Sequence, residues 1–341
     1  MSRRPLWLWP NLLSLDAPII ALAWFWMYKQ VWLVKYHQPT LPWFLALTVW
    51  CIYVADRLMD ERLTAREGGR PTARHRFHRR FQHPLKLALV FGVCGALYLL
   101  AIQSRGLLIH GLPILLVVFA YILISIYENA RRSERQSRQA AGTMPEPRLH
   151  LIPGAGPGSG ASFIKNIIAG VGFAYGVAVG VHFQRVRPIW DLALSPEVVV
   201  FAVLCIINMV AIDHWETSAR KGGGEEAEME DERETRAFFR VLLLGLLLAL
   251  IGCCYLLAVR AEDYTLQMHK AFYLSLMVGA GGLAFLVLLR DRFCANALRV
   301  LADVAMLLPL PFFYFYLVDY EIIEFGQVSW SLTAPESPGG G

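Results

Sequence analysis

Nine runs of roughly twenty mostly apolar residues, at 12–28, 41–58, 84–102, 107–127, 163–183, 196–212, 238–259, 271–289 and 294–318, leave this chain little choice of environment. A helix rises about 1.5 Å per residue, so about 20 apolar residues span a bilayer core of roughly 30 Å. The segments between the runs hold nearly all the Arg, Lys, Asp and Glu. Charged residues fill only 17% of the 341 positions and hydrophobic ones 56%, whereas a soluble domain carries about 25% charge. The sequence therefore predicts an all-α integral membrane protein, a single polytopic domain over 1–341 built as a bundle of about nine transmembrane helices. The first run is the weakest, because Asp16 interrupts it. No small-residue cleavage site follows the opening MSRRPLWLWP, which predicts a retained first helix or an interfacial segment rather than a removable signal.

Orientation follows from the basic residues. Eight Arg fall between Arg57 and Arg80, and Arg131, Arg132, Arg135, Arg138 and Arg148 follow the fourth run. The segments after runs one, three, five and seven hold only scattered cations such as Lys35, Arg105, Arg187 and Arg260. With Arg3 and Arg4 inside, the segments after even-numbered runs are expected in the cytoplasm and the acidic end of the chain, from Asp319 onward, outside. The net charge of +5 is thus explained by topology, and no nucleic acid is expected as a partner. The bilayer is the expected surrounding; the sequence names no protein partner.

Two cytoplasmic loops are expected to be long, 131–162 and 217–237. The first ends in GAGPGSGAS without the GxxxxGK[ST] order of a phosphate loop, and reads as a flexible linker. The second packs seven acids into ten residues from Glu225 to Glu234, and reads as a solvated, mobile connection. The six cysteines, Cys51, Cys94, Cys205, Cys253, Cys254 and Cys294, lie in or beside apolar runs with no CxxC spacing, so neither a disulfide framework nor a zinc site is expected. Gly172, Gly176 and Gly180 recur at four-residue spacing and predict a close helix–helix seam.

Acids at the ends of greasy helices carry the functional signal. YVADRLMDER (53–62) closes the second run with Asp56 and Asp60 four residues apart, on one helical face about 6 Å from each other. Mg²⁺ suits such a pair, because it binds one or two protein carboxylates together with water and phosphate oxygens. The plain alternative is a solvated helix end whose acids pair with loop arginines. The sixth run closes the same way, in NMVAIDHWETSARK, with Asp213 and Glu216; Asn208 opens that stretch and is a candidate substrate contact. The acids thus follow runs two and six, equivalent places in two pseudo-repeated halves, about 12–127 and about 163–318. Lys165 stands just inside the fifth run near a helix N-terminus, where backbone N–H groups favour anions. A snorkelling anchor is the alternative reading of that lysine.

Nine expected helices, acidic motifs after helices two and six, and Lys165-Asn166 at the start of helix five resemble the UbiA superfamily of intramembrane prenyltransferases. Members carry NDxxDxxxD in the first acidic segment and DxxxD or DxxDxxxD in the second. This chain departs from them at Ile52 and Tyr53, where the family has Asn-Asp, and at Arg220, where a third acid would fall. The resemblance implies a helical bundle with a central cavity, and Mg²⁺ as cofactor on Asp56, Asp60, Asp213 and Glu216. It implies Asp56, Asp60, Asp213 and Lys165 as catalytic groups and a prenyl diphosphate donor with a lipophilic acceptor as substrates. Lys165, Tyr53, Tyr175, Arg74 and Asn208 become the candidate substrate-binding residues, the two tyrosines as aromatic faces for a carbocation. Glu61 and His214 are candidate substitute ligands, and Arg76, Arg79 and Arg80 are further candidates to reach a diphosphate from the loop. The implied location is a cell membrane, taken as the bacterial inner membrane, with the active face cytoplasmic. An isoprenoid cyclase or hydrolase on the same fold, a non-catalytic degenerate homologue and a transporter stay open beside it. Transport predicts ionisable groups near the midplane, and Asp303 is the main one in sight.

Overall fold

A computed structural model describes residues 9–64, 77, 79–140, 159–185, 187–221, 226–261 and 267–317, with side chains for all of these except 60–64, 128–140, 159–162, 220–221 and 226–236. In chain order the helices are α1 (Trp9–Leu12), α2 (Asp16–Val31), α3 (Leu41–Thr64), α4 (Gln82–Ala101), α5 (Arg105–Ala140), α6 (Ser159–Phe183), α7 (Ile189–Ala193), α8 (Pro196–Lys221), α9 (Glu226–Arg260), α10 (Gln267–Leu288) and α11 (Ala295–Leu307). After the turn at Leu308 the chain is helical again through 309–317. No strand occurs among the described residues.

Among the described residues eight helical segments are long and apolar enough to cross a membrane, including Leu41–Met59, Arg105–Tyr127, Phe163–Phe183, Pro196–Ala219 and Ala295–Leu317, and the chain is accordingly a multi-pass membrane protein. The ninth expected span differs. Over its 16 residues α2 reaches only about 24 Å, short of the roughly 30 Å hydrocarbon core. It is instead among the most enclosed helices: Ala21, Trp24, Met27 and Tyr28 are fully buried. Trp24 stacks on Phe201 at 3.9 Å and its Nε1 donates to the Met306 carbonyl at 3.0 Å.

Packing joins the two expected halves rather than separating them. α2 packs on α3, α6, α10 and α11; α6 packs on both α5 and α8; and α9, α10 and α11 follow one another in contact. α6 and α8 approach most closely at Gly170, where a Cβ would stand 2.6 Å from Ile206 Cγ1 and 2.8 Å from its backbone nitrogen. By contrast α4 and α5, although linked by only 102–104, hardly touch: α4 lies on α3 and α5 lies on α6. The space left between α3, α5 and α6 becomes the main cavity.

Both segments read as long loops are partly helical. α5 continues to Ala140 and α9 begins at Glu226. The reason is composition: 131–140 contains no Gly or Pro, and Glu, Ala, Met and Arg in 226–236 are strong helix formers. The remainder of both loops, 141–158 and 222–225, lies outside the described residues.

Candidate functional site

A cavity of about 610 Å³ runs along α3, α5 and α6. Its lining extends from Leu41 to Asp56 on α3 and from Gly180 back to Lys165 on α6. Fifteen helical steps on each wall correspond to about 22 Å, most of a hydrocarbon core. The walls are apolar, with Phe44, Leu45, Val49, Leu112, Val118 and Phe173 among them. Polar groups collect at the two ends.

One end is a charged mouth to which five helices contribute. Asp56 and Arg57 come from α3, Tyr121 from α5, Lys165 and Asn166 from α6, Asp213 and Glu216 from α8, and Arg299 from α11. Asp56, Arg57, Asp213 and Glu216 lie toward the C-terminal ends of α3 and α8, and Lys165, Asn166 and Arg299 toward the N-terminal ends of α6 and α11. A charge within an apolar helix costs roughly 2.5–3.5 kcal/mol at mid-membrane, so each is expected to find a partner. Asp56 Oδ1 accepts from Lys165 Nζ and from the Tyr121 hydroxyl, both at 2.7 Å. Asn166 Nδ2 donates to Asp213 Oδ2 at 3.3 Å. Glu216 Oε1 accepts from Arg299 Nη1 at 2.5 Å. Neighbouring residues of one helix, Lys165 and Asn166, therefore touch the two aspartates that the sequence offered separately.

Beneath the mouth lies a second polar layer. Arg57 is buried and donates to the Asn11 carbonyl, to Ser14 Oγ at 3.0 Å and to Asp16 Oδ2 at 3.2 Å. Asn11 also donates to Asp16 at 2.9 Å and to Asp303 at 3.4 Å. This accounts for Asp16: it opens α2 instead of interrupting it, with its charge met by Arg57. It also removes Asp303 from the role of an isolated midplane acid, since it belongs to the same cluster.

The opposite end is closed by polar side chains. Gln103, which lines the cavity, donates to Thr40 Oγ1 at 3.2 Å, and Gln38 donates to the Ile102 carbonyl at 3.1 Å, tying the segment after α2 to the end of α4. Gly180 seats Leu41, whose Cδ2 would be 2.9 Å from an added Cβ. The other two glycines of the expected seam behave differently. Gly172 and Gly176 line the cavity, and a Cβ on them would meet only Val117 at 3.4 Å and Ile114 at 3.8 Å. Their smallness leaves open volume there instead of bringing helices together.

Of the residues singled out from the sequence, the structure brings Asp56, Tyr53, Lys165, Asp213 and Glu216 to the cavity. Tyr53 does not present a bare ring, because the Arg57 guanidinium sits 4.5 Å over its centre. Tyr175 turns elsewhere: its hydroxyl donates to the Ala193 carbonyl at 2.9 Å and it lines a separate shallow pocket beside α8. Asn208 is buried within α8 and does not line the cavity. His214 stacks on Phe239 at 4.3 Å and meets Arg290 at 3.3 Å, away from Asp56. Arg79 and Arg80 are exposed. The side chains of Asp60 and Glu61, and all of Arg74 and Arg76, lie outside the described residues; the backbone of α3 carries Asp60 one turn beyond Asp56. Sequence reasoning missed Tyr121, Arg299 and the Asn166 contact. Arg299 was concealed because it follows Arg290 and Arg292 and reads as one more basic flank.

Among the described residues no three His, Cys, Asp or Glu side chains converge on a point that could hold a metal ion. The mouth offers the oxygen donors of Asp56 and Asp213 instead. That set fits Mg²⁺, which takes one or two protein carboxylates and completes its shell with water and substrate phosphate oxygens. Comparison with known protein families, with curated proteins and with solved structures finds no match to this chain.

Proposed function

We propose that this chain is an intramembrane enzyme of the UbiA type, which transfers a prenyl group from an isoprenoid diphosphate to a lipophilic acceptor. The observation that supports the reading best is the pairing of a deep apolar cavity with one charged mouth, at which Asp56, Asp213 and Lys165 meet. An isoprenoid diphosphate has the same division, a long apolar tail and a compact polyanionic head. Positive-inside orientation puts the mouth at the cytoplasmic face, because the Arg-rich segments leave from that end.

Within this reading Asp56 and Asp213 would hold the Mg²⁺, with Asp60 one turn further along α3. The bound ion supplies charge neutralisation for the diphosphate. Lys165 Nζ, held by Asp56 and Tyr121, donates to an oxygen of the leaving group as its negative charge grows. The Asn166 amide keeps Asp213 turned toward the mouth. As the carbon–oxygen bond breaks, the diphosphate leaves with the electron pair; the acceptor then forms the new bond and gives up a proton. Phe44 and Phe173 line the apolar wall beyond the mouth, where they keep water from the allylic cation and offer it an aromatic face. The poorly packed side between α4 and α5 gives a lipophilic acceptor a way in from the bilayer.

One observation favours a second reading. Asp56 and Glu216 already have cationic partners in Lys165 and Arg299, which suits a protein that holds the isoprenoid diphosphate without turning it over. Incubating purified protein with a panel of prenyl diphosphates and lipid extract, with and without Mg²⁺, separates the cases. Transfer predicts release of diphosphate together with a prenylated lipid. Release without an acceptor indicates a cyclase or hydrolase, and binding without release indicates the holding role.

A further inference from the structure

Arg299 is one of the cations at the mouth, and its hydrogen bonds are far from complete. A guanidinium carries five N–H donors and no acceptor. Among the described residues Arg299 uses one, Nη1 to Glu216 Oε1 at 2.5 Å. Its Nε is fully enclosed and has no hydrogen-bond partner, and the side chain as a whole is only 11% exposed. Leaving donors of a charged group unmatched out of water is costly; the enclosed Nε does not face the cavity, so it is the remaining Nη hydrogens that a ligand at the mouth can accept from. Arg57, the other guanidinium of this region, spends its donors on Asn11, Ser14 and Asp16. Arg299 lines the cavity mouth along with Lys165 and Asp213.

We infer that Arg299 is a direct binding residue for the diphosphate head group, a site that rests on the function proposed above. A planar guanidinium fork matches two phosphate oxygens at once, which a lysine ammonium does not. Lys165 on α6 and Arg299 on α11 then hold the head group from two walls, while Glu216 anchors and orients the arginine. Glu216 acts here as a positioning residue, which leaves Asp56 and Asp213 as the carboxylates for the cation. Neither Arg299 nor Lys165 needs a metal ion to donate to a phosphate oxygen, so part of the diphosphate affinity is expected to persist without Mg²⁺.

The test is equilibrium binding to the purified full-length chain in detergent, with Mg²⁺ or with EDTA. The probes are geranylgeranyl diphosphate, inorganic pyrophosphate and the uncharged alcohol geranylgeraniol; the variants are Arg299→Ala and Arg299→Lys. Loss of a charged hydrogen-bonding group is expected to weaken both diphosphate probes about ten- to hundredfold in Arg299→Ala, with and without Mg²⁺. Arg299→Lys falls between, and geranylgeraniol binds all three proteins equally. Diphosphate affinity unchanged in both variants, or an equal loss for the alcohol, overturns the assignment; if Arg299→Ala does not fold, Arg299→Lys decides by the same criterion. Wild-type protein that binds neither diphosphate even with Mg²⁺ overturns the function on which the assignment rests.

Discussion

Lys165 Nζ stands 2.7 Å from Asp56 Oδ1, joining side chains 109 positions apart, and the next residue, Asn166, reaches Asp213. One dipeptide thus ties together the two acidic motifs. Because the proposed function makes the lysine an anion ligand as well as a clasp on Asp56, Lys165→Met is expected to weaken prenyl diphosphate binding about ten- to hundredfold. Lys165→Met combined with Asp56→Asn should lose less than the two single losses added together, since they share one interaction. Binding measured across this double-mutant cycle checks both statements.

On the proposed function, the glycines facing the cavity should set how long a prenyl tail fits. Gly176 lies eleven residues from Lys165, about 16 Å into the cavity. Gly176→Leu should leave short donors such as geranyl diphosphate active and cut turnover of geranylgeranyl diphosphate. A misfit of even one methylene in an apolar pocket is worth roughly ten- to two-hundredfold. Relative rates on donors of increasing length are the readout, and an unchanged length profile contradicts the account.

The Arg57–Asp16 pair is buried on both sides, with side chains 3% and 5% exposed. Removing one partner strands the other charge at a cost of about 3–5 kcal/mol, whereas replacing both with apolar groups is often neutral. Arg57→Met should therefore lower the thermal unfolding temperature in detergent sharply, and Arg57→Met with Asp16→Leu should recover most of the loss.

Helix packing gives a prediction free of any functional assumption. Gly170→Ala would drive a methyl into the Ile206 backbone and should destabilise the α6–α8 contact. Gly252→Ala, with nothing within 4 Å, should be neutral or slightly stabilising, by up to about 1 kcal/mol. Thermal unfolding of the two variants side by side checks this.

Much of the site was legible because the surroundings were so apolar: Asp56, Lys165 and Asp213 stand out against helices that otherwise exclude charge. Arg299 and Tyr121 were not, since one reads as a flanking arginine and the other as one of many membrane aromatics. Only the fold shows that they face Glu216 and Asp56. Tyr175 lies outside this cavity for a geometric reason, as adjacent helical residues point about 100° apart and its neighbour Gly176 takes the cavity side. The ninth expected span falls short at α2, which has 16 residues, and the Asp16–Arg57 pair 41 positions apart that accounts for its acid cannot be read from either residue alone. Helical continuation to Ala140 and from Glu226 was hidden by charge, which looks like loop until the absence of Gly and Pro is weighed.

The central claim is tested most directly by Mg²⁺-dependent release of diphosphate from prenyl diphosphates of graded length, measured for the wild type, Asp56→Asn, Asp213→Asn and the exposed-site control Asp291→Asn. The account predicts release by the wild type and the control, with a loss of about hundredfold or more in both Asp56→Asn and Asp213→Asn. Release absent across the whole panel, or equal in all four proteins, would contradict it.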